Sequence, residues 1–587
     1  MAHPDSGLAA RAAAWRDADP DPETRAELDG LLAGGDAAAL AERFAGTPAF
    51  GTAGLRAAMG AGPARMNRLV AGRVAAGLAR YIAAADPAAG AAGIVVGYDG
   101  RAKSAVFAAD AARILSRAGL RVFLLPGALP TPVLAFSVRY LRAGYGLMVT
   151  ASHNPRQDNG IKVYVRDGGQ LLPPQDEAIA AAIEAVDPLR LPAGWSEGPF
   201  ESGPAGAVPA AYAAGVASGG VRAAGTPGLT VVHTALHGVG DATLRAVLAA
   251  AGWPAPVPVA AQQHPDPAFP TVPYPNPEAP GVLDLARAAA EREGADLVLA
   301  SDPDADRLAV MVPTADGWRA LTGDELGALL GDAALTRLAA GFRPGPPPVV
   351  ATTVVSGSLL RRLAQAAGVR CVTTLTGFKW IARAGGAGHA LVYGYEQALG
   401  YAVRPDLVAD KDGISAALLV LEVAAGLARE GRTLTGRLDD LALVHGLHLT
   451  RERSLRADGA AGLASLAGAV ERVRKEPPRQ LAGLPVTVTD LLAAGPGVVD
   501  LAGGRAERSP GRPVPAADVL VWHAGDAARV MVRPSGTEPV LKLYAEVTRA
   551  VPSRGALPAA RASAADQAER LLSAAAAALD PRTKPVA

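Results

Sequence analysis

Short apolar runs alternate with helical stretches in three successive regions of this 587-residue chain. In the first region, the strand-like "GIVVGYDGR" precedes the helix-like "SAVFAADAARILSRAGL" and the strand-like "RVFLLPG" and "YGLMV". The second has "LTVVHTALHGVG", the helical "DATLRAVLAAAGW" and "ADLVLAS", and the third has "PVVATTVVSG", the helical "SLLRRLAQAAG", "RCVTTLTG" and "HALVYGYEQALG". Because strands alternate with helices, each region is predicted to form βαβ units in a largely parallel sheet.

The end of the chain has a different pattern. It contains the helical "LASLAGAVERVRK", the Pro-interrupted "EPPRQLAGLPVTV", the strand "ARVMV" and then "LKLYAEV", which alternates as a half-buried antiparallel strand does. We therefore predict an α/β protein with three similar mixed-sheet domains and a C-terminal α+β domain. The predicted domains are residues 1–205, 206–322, 323–445 and 446–587.

Charge and cysteine content narrow the possible partners. Lys plus Arg (57) balance Asp plus Glu (56), so no overall field attracts nucleic acid or anionic lipid. The N-terminus lacks a basic start with an apolar core, and the apolar run near Ala416 is interrupted by Glu422. The single cysteine, Cys371, excludes an internal disulfide and lies in a predicted buried strand. We expect a cytoplasmic protein that binds small molecules and neither nucleic acid nor membranes.

Three aspartates at alternating positions, Asp302, Asp304 and Asp306, directly follow an apolar strand in "DPDADR". Such close carboxylates repel one another unless a cation neutralises them, and oxygen ligands suit Mg²⁺. An EF-hand is excluded because Arg307 stands where glycine is needed and Pro313 where glutamate is needed. Two alternatives stay open at this point: an Asx-rich turn, and a phosphatase with Asp302 as nucleophile. The phosphatase is disfavoured because its motif needs a small β-branched residue at the position of Asp306.

The segment "RPSGTEP" combines a cation with hydrogen-bond donors: Arg533, Ser535, Gly536 and Thr537. An arginine that pairs bidentately, beside hydroxyls and backbone N–H groups, is typical of a phosphate-binding loop. The alternative is a Ser-Gly turn that caps a helix.

Three weaker candidates lie on glycine-rich segments. In "GYEQALGY", Glu396 accepts hydrogen bonds from sugar hydroxyls or is simply solvated, and Gln397 is next to it. In "TGFKW", Gly377 and Lys379 lie on a glycine turn that either contacts a ligand or packs within the loop. In "GTAGLR", two glycines let the backbone approach a ligand and Arg56 follows them.

The segment "VTASHNPRQDNGIKVY" carries Ser152, His153 and Lys162. An Asn-Pro turn follows the histidine, and Asn159–Gly160 is predicted as a second turn that brings Lys162 back towards Ser152. Serine is a weak nucleophile unless a cation and a base assist it. We expect Lys162 to shuttle a proton if nearby cations and burial depress its pKa. His153 either does the same or orients a phosphate.

These motifs together resemble the α-D-phosphohexomutase family. "TASHNP" resembles its phosphoserine loop, "NGIKVY" carries its lysine, and "DPDADR", "EQALGY" and "RPSGTEP" resemble its Mg²⁺, sugar and phosphate loops, in the family's order. "TGFKW", "PYPNPEAPG" and "DKDG" resemble the branch of type-2 phosphoglucomutases, phosphopentomutases and many bacterial phosphomannomutases. The resemblance implies four domains around a central cleft, which carry the phosphoserine, Mg²⁺, sugar and phosphate loops in turn.

The resemblance also implies roles. Ser152 would be phosphorylated and would hold Mg²⁺ together with Asp302, Asp304 and Asp306, while Lys162 would be the general acid/base. Arg56 and His153 would assist the transferring group, and Arg307 would contact it as part of the substrate site. That site would also include Gly377, Lys379, Glu396 and Gln397, and Arg533, Ser535, Gly536 and Thr537 would bind the distal phosphate.

The activity implied by the resemblance is interconversion of hexose 1-phosphate and hexose 6-phosphate, primed by glucose 1,6-bisphosphate. Glucose is the first expected sugar and mannose the second. Many relatives have Glu-Glu-Ser or Glu-Met-Ser at the sugar loop, whereas this chain has Glu396-Gln397-Ala398, so substrate choice stays open. The alternatives are a phosphopentomutase, a sugar-phosphate phosphatase and a non-catalytic sugar-phosphate binding protein. A monomer or dimer is expected.

Overall fold

A computed structural model describes residues 6–51, 53–192, 194–220, 228–341, 345–456, 459–493, 498–500, 507–509, 517–534 and 540–580. Two compact units are present. The first comprises Met1–Ala320 and Gly400–Ala425, and the second comprises Leu321–Leu399 and Gly426–Ala587.

The helices and strands follow the chain in four stretches. The first stretch contains α1 (Ser6–Ala18), α2 (Pro22–Gly34), α3 (Ala37–Arg43), β1 (Leu55–Ala58), α4 (Arg68–Ala85), α5 (Pro87–Ala92), β2 (Ile94–Tyr98), α6 (Ser104–Arg117), β3 (Val122–Ala128), α7 (Thr131–Tyr140), β4 (Tyr145–Val149), β5 (Asp158–Val165) and α8 (Gln175–Glu184). The second contains α9 (Val208–Ala217), β6 (Val231–Thr234), α10 (Gly240–Ala250), β7 (Val257–Pro258), α11 (Asp284–Glu293), β8 (Leu297–Ser301), β9 (Leu308–Thr314) and β10 (Gly317–Ala320).

The third stretch contains α12 (Gly323–Ala339), β11 (Pro348–Thr353), α13 (Leu359–Ala366), β12 (Arg370–Thr374), α14 (Phe378–Ile381), β13 (Ala390–Glu396), β14 (Gly400–Ala402), α15 (Gly413–Arg429) and α16 (Leu434–His445). The fourth contains β15 (Leu447–Arg456), α17 (Gly459–Lys475), β16 (Gln480–Leu481), β17 (Leu484–Asp490), β18 (Val498–Asp500), β19 (Glu507–Ser509), β20 (Leu520–Ala524), β21 (Ala528–Pro534), β22 (Val540–Arg549) and α18 (Leu557–Leu579).

The first unit contains two mixed sheets of the same design. Their strand orders are β1-β5-β4-β2-β3 and β10-β9-β8-β6-β7. In each sheet the central strands are parallel, and the strand after the polar loop is antiparallel to the strand before it. All residues of β4 and of β8 are buried, as expected for strands covered on both faces. These two strands fix where the serine loop and the aspartate loop begin.

The predicted turn at Asn159–Gly160 is wrong, because both residues lie within β5. The expected return of Lys162 is achieved by antiparallel pairing instead, in which Met148 of β4 lies opposite Lys162. Gly160 is required by packing: a Cβ at this position would lie 2.4 Å from the carbonyl oxygen of Leu55 in β1.

The second unit combines three parallel strands of one sheet with a separate antiparallel sheet. Among the three parallel strands, β11 lies between β12 and β13 and is parallel to both. The predicted strand around Cys371 is present as β12, but this cysteine is half-buried and not buried as expected, because it is near the strand's exposed start. The antiparallel sheet has the order β15-β22-β21-β20-β17-β16 and a core that includes Trp522. The expected four-domain α/β architecture with a C-terminal α+β domain is confirmed.

Candidate active site

The aspartate loop directly follows β8 and is fully buried. Asp302, Asp304 and Asp306 are each 0% exposed, and one carboxylate oxygen from each lies within 4.8 Å of the others. Burial removes the water that would stabilise three negative charges. Burial, together with the charges of Asp304 and Asp306, raises the pKa of Asp302 well above its usual value. The loop therefore favours a neutralising cation.

Lys162 provides part of that positive charge. Its Nζ donates to Oδ2 of Asp304 at 2.7 Å and to Oδ2 of Asp306 at 3.0 Å, and Nζ of Lys411 is 3.4 Å from the same Asp306 oxygen. Burial opposes ionisation of both carboxyls, but Lys162 and the Thr131 hydroxyl lower the pKa of Asp304, and Lys162, Lys411 and Arg307 lower the pKa of Asp306.

A depressed pKa was the condition for proton shuttling by Lys162, and this charge environment does not meet it. Burial lowers that pKa, but attraction to Asp304 and Asp306 is stronger, and the pKa of Lys162 is raised. Lys162 is thus an ammonium group that hydrogen-bonds the two carboxylates.

Two oxygens of the loop are left over. In the described part of the chain, Oδ1 of Asp304 and Oδ1 of Asp306 are buried without a hydrogen-bond partner. Unsatisfied buried oxygens are costly, and oxygen-only ligands are those that Mg²⁺ prefers. Thr131, at the start of α7, fixes the loop through its hydroxyl, which donates to Oδ2 of Asp304 at 2.6 Å, and its N–H, which donates to the Asp304 carbonyl at 2.9 Å. The donor set fits a magnesium ion.

The serine loop leaves β4 beside these carboxylates. Ser152 is 2% exposed, and its Oγ donates to Oδ2 of Asp302 at 3.1 Å. Nδ1 of His153 lies 3.1 Å from the same Oγ, and the Ser152 N–H donates to Oγ1 of Thr150 at 2.7 Å. Ser152 has a φ of 55°, in the left-handed region that serine rarely adopts. The structure thus brings the predicted nucleophile, the histidine and the aspartates together.

Two predicted arginines belong to the same cluster. Nη1 of Arg56 donates to Oδ1 of Asn154 at 2.9 Å, and the backbone N–H of Arg307 donates to Oδ1 of Asp302 at 3.0 Å. Burial and the charges of Arg307 and Arg56 lower the pKa of His153 well below its usual value, so this imidazole is neutral at neutral pH.

The glycine-rich segment before Arg56 was expected to let the backbone approach a ligand, but Gly54 serves the packing of two strands. A Cβ on Gly54 would lie 1.9 Å from the carbonyl oxygen of Ile161, so this glycine allows β1 to approach β5. The close contact with β5 is by itself a reason for glycine at position 54, so approach of a ligand is not required to explain Gly54.

The predicted sugar-site residues belong to the second unit. Gly377 precedes α14 with a φ of 109°, and Lys379 lies within this one-turn helix rather than on a simple turn. Nζ of Lys379 is 5.5 Å from the centre of the Trp380 ring. Glu396 is the last residue of β13 and is half-buried.

Gln397 is held from within its own domain. Its Oε1 accepts from the Ser356 hydroxyl at 3.1 Å and from the Thr353 hydroxyl at 3.4 Å, and its N–H donates to the Ser356 hydroxyl oxygen at 3.3 Å. Arg533 is half-buried in β21, whereas Ser535, Gly536 and Thr537 lie outside the described residues.

Comparison with known proteins identifies the family. Four domain descriptions match in order: "Phosphoglucomutase/phosphomannomutase, alpha/beta/alpha" domain I over residues 47–190, domain II over 210–317, domain III over 322–443, and the C-terminal domain over 484–551. A "Probable phosphomannomutase" of Haemophilus influenzae is 39% identical over 491 residues, which cover 82% of this chain and 92% of that protein. The chain belongs to the phosphoglucomutase/phosphomannomutase family.

Two further comparisons agree with this membership. The "Phosphopentomutase" of Mus musculus is 33% identical over 573 residues, with 92% of this chain and 90% of that protein covered. A crystal structure of a "putative phosphomannomutase" from Thermus thermophilus has a TM-score of 0.63 and 26% identity, with 90% of this chain and 100% of that chain covered. Members of the family are isomerases that transfer phosphate within a sugar phosphate, and this chain is such an enzyme.

Two residues of this site, Thr131 and Lys411, were given no role from the sequence. Thr131 fixes Asp304, and its only local signal is a position at the start of a helix in "LPTPVL". Lys411 approaches Asp306 from "DKDG", where a lysine between two aspartates in an otherwise apolar neighbourhood is the available signal. Among the described residues, no helix has the length and apolarity to cross a membrane.

Proposed function

We propose that the enzyme interconverts hexose 1-phosphate and hexose 6-phosphate through a phosphate group carried by Ser152, with glucose as the first expected sugar and mannose as the second. The observation that carries this proposal is the contact of 3.1 Å between Oγ of Ser152 and Oδ2 of Asp302, within a buried trio of aspartates. A serine hydroxyl beside clustered carboxylates is unsuited to nucleophilic work unless a cation is also bound.

Asp302, Asp304 and Asp306 are the proposed Mg²⁺ ligands, together with an oxygen on Ser152. The two unsatisfied Oδ1 atoms and the burial of all three carboxyls support this assignment. When bound, Mg²⁺ supplies positive charge that offsets the negative charge of a transferring phosphoryl group.

The proposed transfer exchanges one P–O bond for another. The hydroxyl oxygen of the sugar bonds to phosphorus while the bond from phosphorus to Oγ of Ser152 breaks, and overall the hydroxyl proton ends on Oγ. Lys162 and His153 are the proposed acid/base groups: Lys162 is a buried ammonium and would begin as the proton donor, and Nδ1 of His153 lies 3.1 Å from Oγ. Arg56 and Arg307 supply charge for the transferring group.

The second unit carries the proposed substrate contacts. Glu396 would accept hydrogen bonds from sugar hydroxyls, and Gly377, Lys379 and Gln397 would be further contacts of the sugar. The distal phosphate would bind to Arg533, Ser535, Gly536 and Thr537. Because the monophosphate first accepts the Ser152 phosphate on its free hydroxyl and then returns its other phosphate to Ser152, the intermediate is a hexose 1,6-bisphosphate, and glucose 1,6-bisphosphate is the proposed primer.

A second candidate function is phosphopentomutase activity, which moves phosphate between positions 1 and 5 of ribose or deoxyribose. The mouse relative of that name, matched over nearly the full length, is the observation that favours it. Coupled assays with the 1-phosphates of glucose, mannose and ribose, each with and without glucose 1,6-bisphosphate, separate the two. A kcat/KM for ribose 1-phosphate at least about tenfold higher than for glucose 1-phosphate would favour the pentomutase.

Replacement of the nucleophile tests the chemistry. Ser152→Ala is expected to abolish turnover of every sugar in the panel, and near-normal activity in this variant would overturn the proposal. The phosphatase alternative predicts something different: release of inorganic phosphate that survives Ser152→Ala and is lost in Asp302→Asn.

The domain boundaries, the cytoplasmic location and the monomeric or dimeric state also remain predictions. The single cysteine and the balanced charge support the expected location, and small-molecule sugar phosphates remain the proposed partners.

A further inference from the structure

Arg101 is the last residue of "GIVVGYDGR" and lies just after β2. Its side chain is 1% exposed. Its guanidinium donates to four backbone carbonyls of the serine loop: to Ser152 at 2.6 Å, Asn154 at 2.5 Å, Pro155 at 2.9 Å and Asp158 at 3.0 Å. One buried cation therefore satisfies the carbonyls along most of the loop that carries the nucleophile.

The conformation of this loop explains why four carbonyls need one partner. Ser152 has a φ of 55°, and a residue in that region keeps its conformation only where the surroundings determine it. Within the loop, backbone hydrogen bonds run from the Asn154 N–H to the Ala151 carbonyl and from the Asp158 N–H to the Pro155 carbonyl. A planar guanidinium with several fixed N–H groups can bind four convergent oxygens, whereas the ammonium of lysine has three donors at one point.

Arg101 is itself held on two sides. Nε lies 3.5 Å from Oδ2 of Asp99, and the Asp99 Oδ1 atom accepts from the Arg101 N–H at 3.0 Å and from the Ser104 hydroxyl at 2.7 Å. The ring of Phe269, a 2% exposed residue, lies 5.1 Å from the guanidinium carbon. The Asp99 carboxylate and the Phe269 ring together restrict the positions that the Arg101 guanidinium can adopt.

We propose that Arg101 is a positioning residue for phosphoryl transfer: it holds the Ser152 loop in its left-handed conformation so that Oγ stays beside Asp302. This inference rests on the proposed function in assigning Ser152 as the group that carries phosphate. Transfer to and from a sugar requires Oγ to be aligned within a narrow range, so loosening of the loop lowers kcat. Substrate binding changes less, because Arg101 contacts the loop backbone.

The test compares Arg101→Lys with a matched control, Arg68→Lys. Arg68 is an arginine of α4 that binds Asp110 through two nitrogens, at 2.7 and 2.8 Å, and also approaches the carbonyls of Pro20 and Ser196. For Arg101→Lys we expect kcat to fall about 100-fold and KM to stay within about threefold. Arg68→Lys should retain kcat, even if its melting temperature falls.

Two structural readouts separate positioning from general damage. In Arg101→Lys that is phosphorylated on Ser152, the ³¹P resonance should shift towards that of free phosphoserine and broaden. Amide hydrogen exchange of a peptide covering residues 150–158 should accelerate about tenfold or more, while the rest of the domain keeps its protection. Phe269→Leu, which removes the ring but keeps the guanidinium, should lower kcat by roughly threefold and accelerate the same exchange.

Each outcome decides the proposal. Unchanged kcat and unchanged exchange in Arg101→Lys would overturn it, and so would a loss of kcat that merely follows the folded fraction and is matched by Arg68→Lys. If the unmodified enzyme is never phosphorylated at Ser152, the proposed function fails. The positioning of the loop is then still decided by hydrogen exchange, since that readout needs no phosphate.

Discussion

The two polar regions of this enzyme differ in how completely the protein fixes them. In the first unit, Ser152, Lys162 and the three aspartates are nearly inaccessible to solvent and hydrogen-bond one another. In the second unit, Glu396 and Gln397 are half-buried at the end of a strand, and the described contacts of Gln397 come from hydroxyls behind it.

The difference in burial between the two regions matches two proposed tasks: phosphate transfer in the first unit and sugar recognition in the second. Buried charges placed within about 3 Å of each other are costly to assemble, and they are useful where charge must be stabilised without reorganisation. A half-buried carboxylate and amide cost less and are easily altered. The family chemistry is therefore readable from this chain, whereas the proposed choice of sugar involves side chains at a half-buried strand end.

Loss of the lysine in the buried region should have the largest effect. We expect Lys162→Met to lower kcat by about 10³-fold with little change in KM, because it removes a proton-transfer group and the partner of two carboxylates. Steady-state kinetics with glucose 1-phosphate measure this. The control is Lys103→Met, which removes a half-buried lysine of the same domain that pairs with Asp21 and Glu23. Activity of Lys162→Met above about a tenth of normal would contradict the role.

Loss of the sugar-loop charge should have a smaller effect, and mainly on binding. Glu396→Gln is expected to lower kcat/KM about 30-fold, the equivalent of a charged hydrogen bond of about 2 kcal/mol. Most of this loss should be a rise in KM. The rate at which Ser152 is phosphorylated by the bisphosphate should fall less than kcat/KM does. Glu430→Gln, at an exposed pair with Arg432, is the control. Equal losses in the two variants would argue against sugar recognition by Glu396.

The support of the aspartate loop by Thr131 can be tested next. Thr131→Val keeps the shape of the side chain and removes the hydroxyl that binds Oδ2 of Asp304. The Mg²⁺ concentration for half-maximal activity should rise about tenfold, the usual size of an effect one contact removed from a metal. Ser137→Ala removes another buried hydroxyl of the same helix, bonded to the Leu134 carbonyl, and should leave the Mg²⁺ requirement unchanged. A shared shift would indicate damage to α7 instead.

The smallest effect is expected at Gln397. Gln397→Ala removes the acceptor for the Ser356 hydroxyl, and kcat/KM should fall only about threefold, as for a neutral hydrogen bond. The ratio of kcat/KM between glucose and mannose 1-phosphates should change at the same time, because the backbone beside Glu396 is released. Gln365→Ala, on the exposed face of α13, serves as control. An unchanged ratio would remove Gln397 from the account of specificity.

The strands that precede the polar loops, and the polar residues at the ends of these strands, could be predicted from the sequence. The strand runs before Ser152 and Asp302 are apolar and fully buried, and short runs of that kind are recognisable without a structure. The prediction failed at Asn159–Gly160, where a turn-like dipeptide lies in β5 because β1 requires a glycine at close approach. Local turn propensity was overridden there by sheet packing.

The contacts of the charged groups were harder to predict. The Lys162 pKa depends on which charges surround the ammonium, and its pairing with two carboxylates is set by the registers of two sheets. Thr131, Lys411 and Arg101 reach the site from segments distant in sequence, and their residue types are common in ordinary loops. Without the fold, such residues carry no signal of what they will contact.

The central claim is that Ser152 carries the phosphate, and mapping the modified residue tests it most directly. The enzyme is incubated with glucose 1,6-bisphosphate, digested, and its peptides are analysed by mass spectrometry before and after addition of a hexose monophosphate. We expect phosphate on Ser152 that disappears as the monophosphate becomes bisphosphate. Phosphate on Asp302, or an active enzyme with no phosphate on Ser152 at any stage, would contradict it.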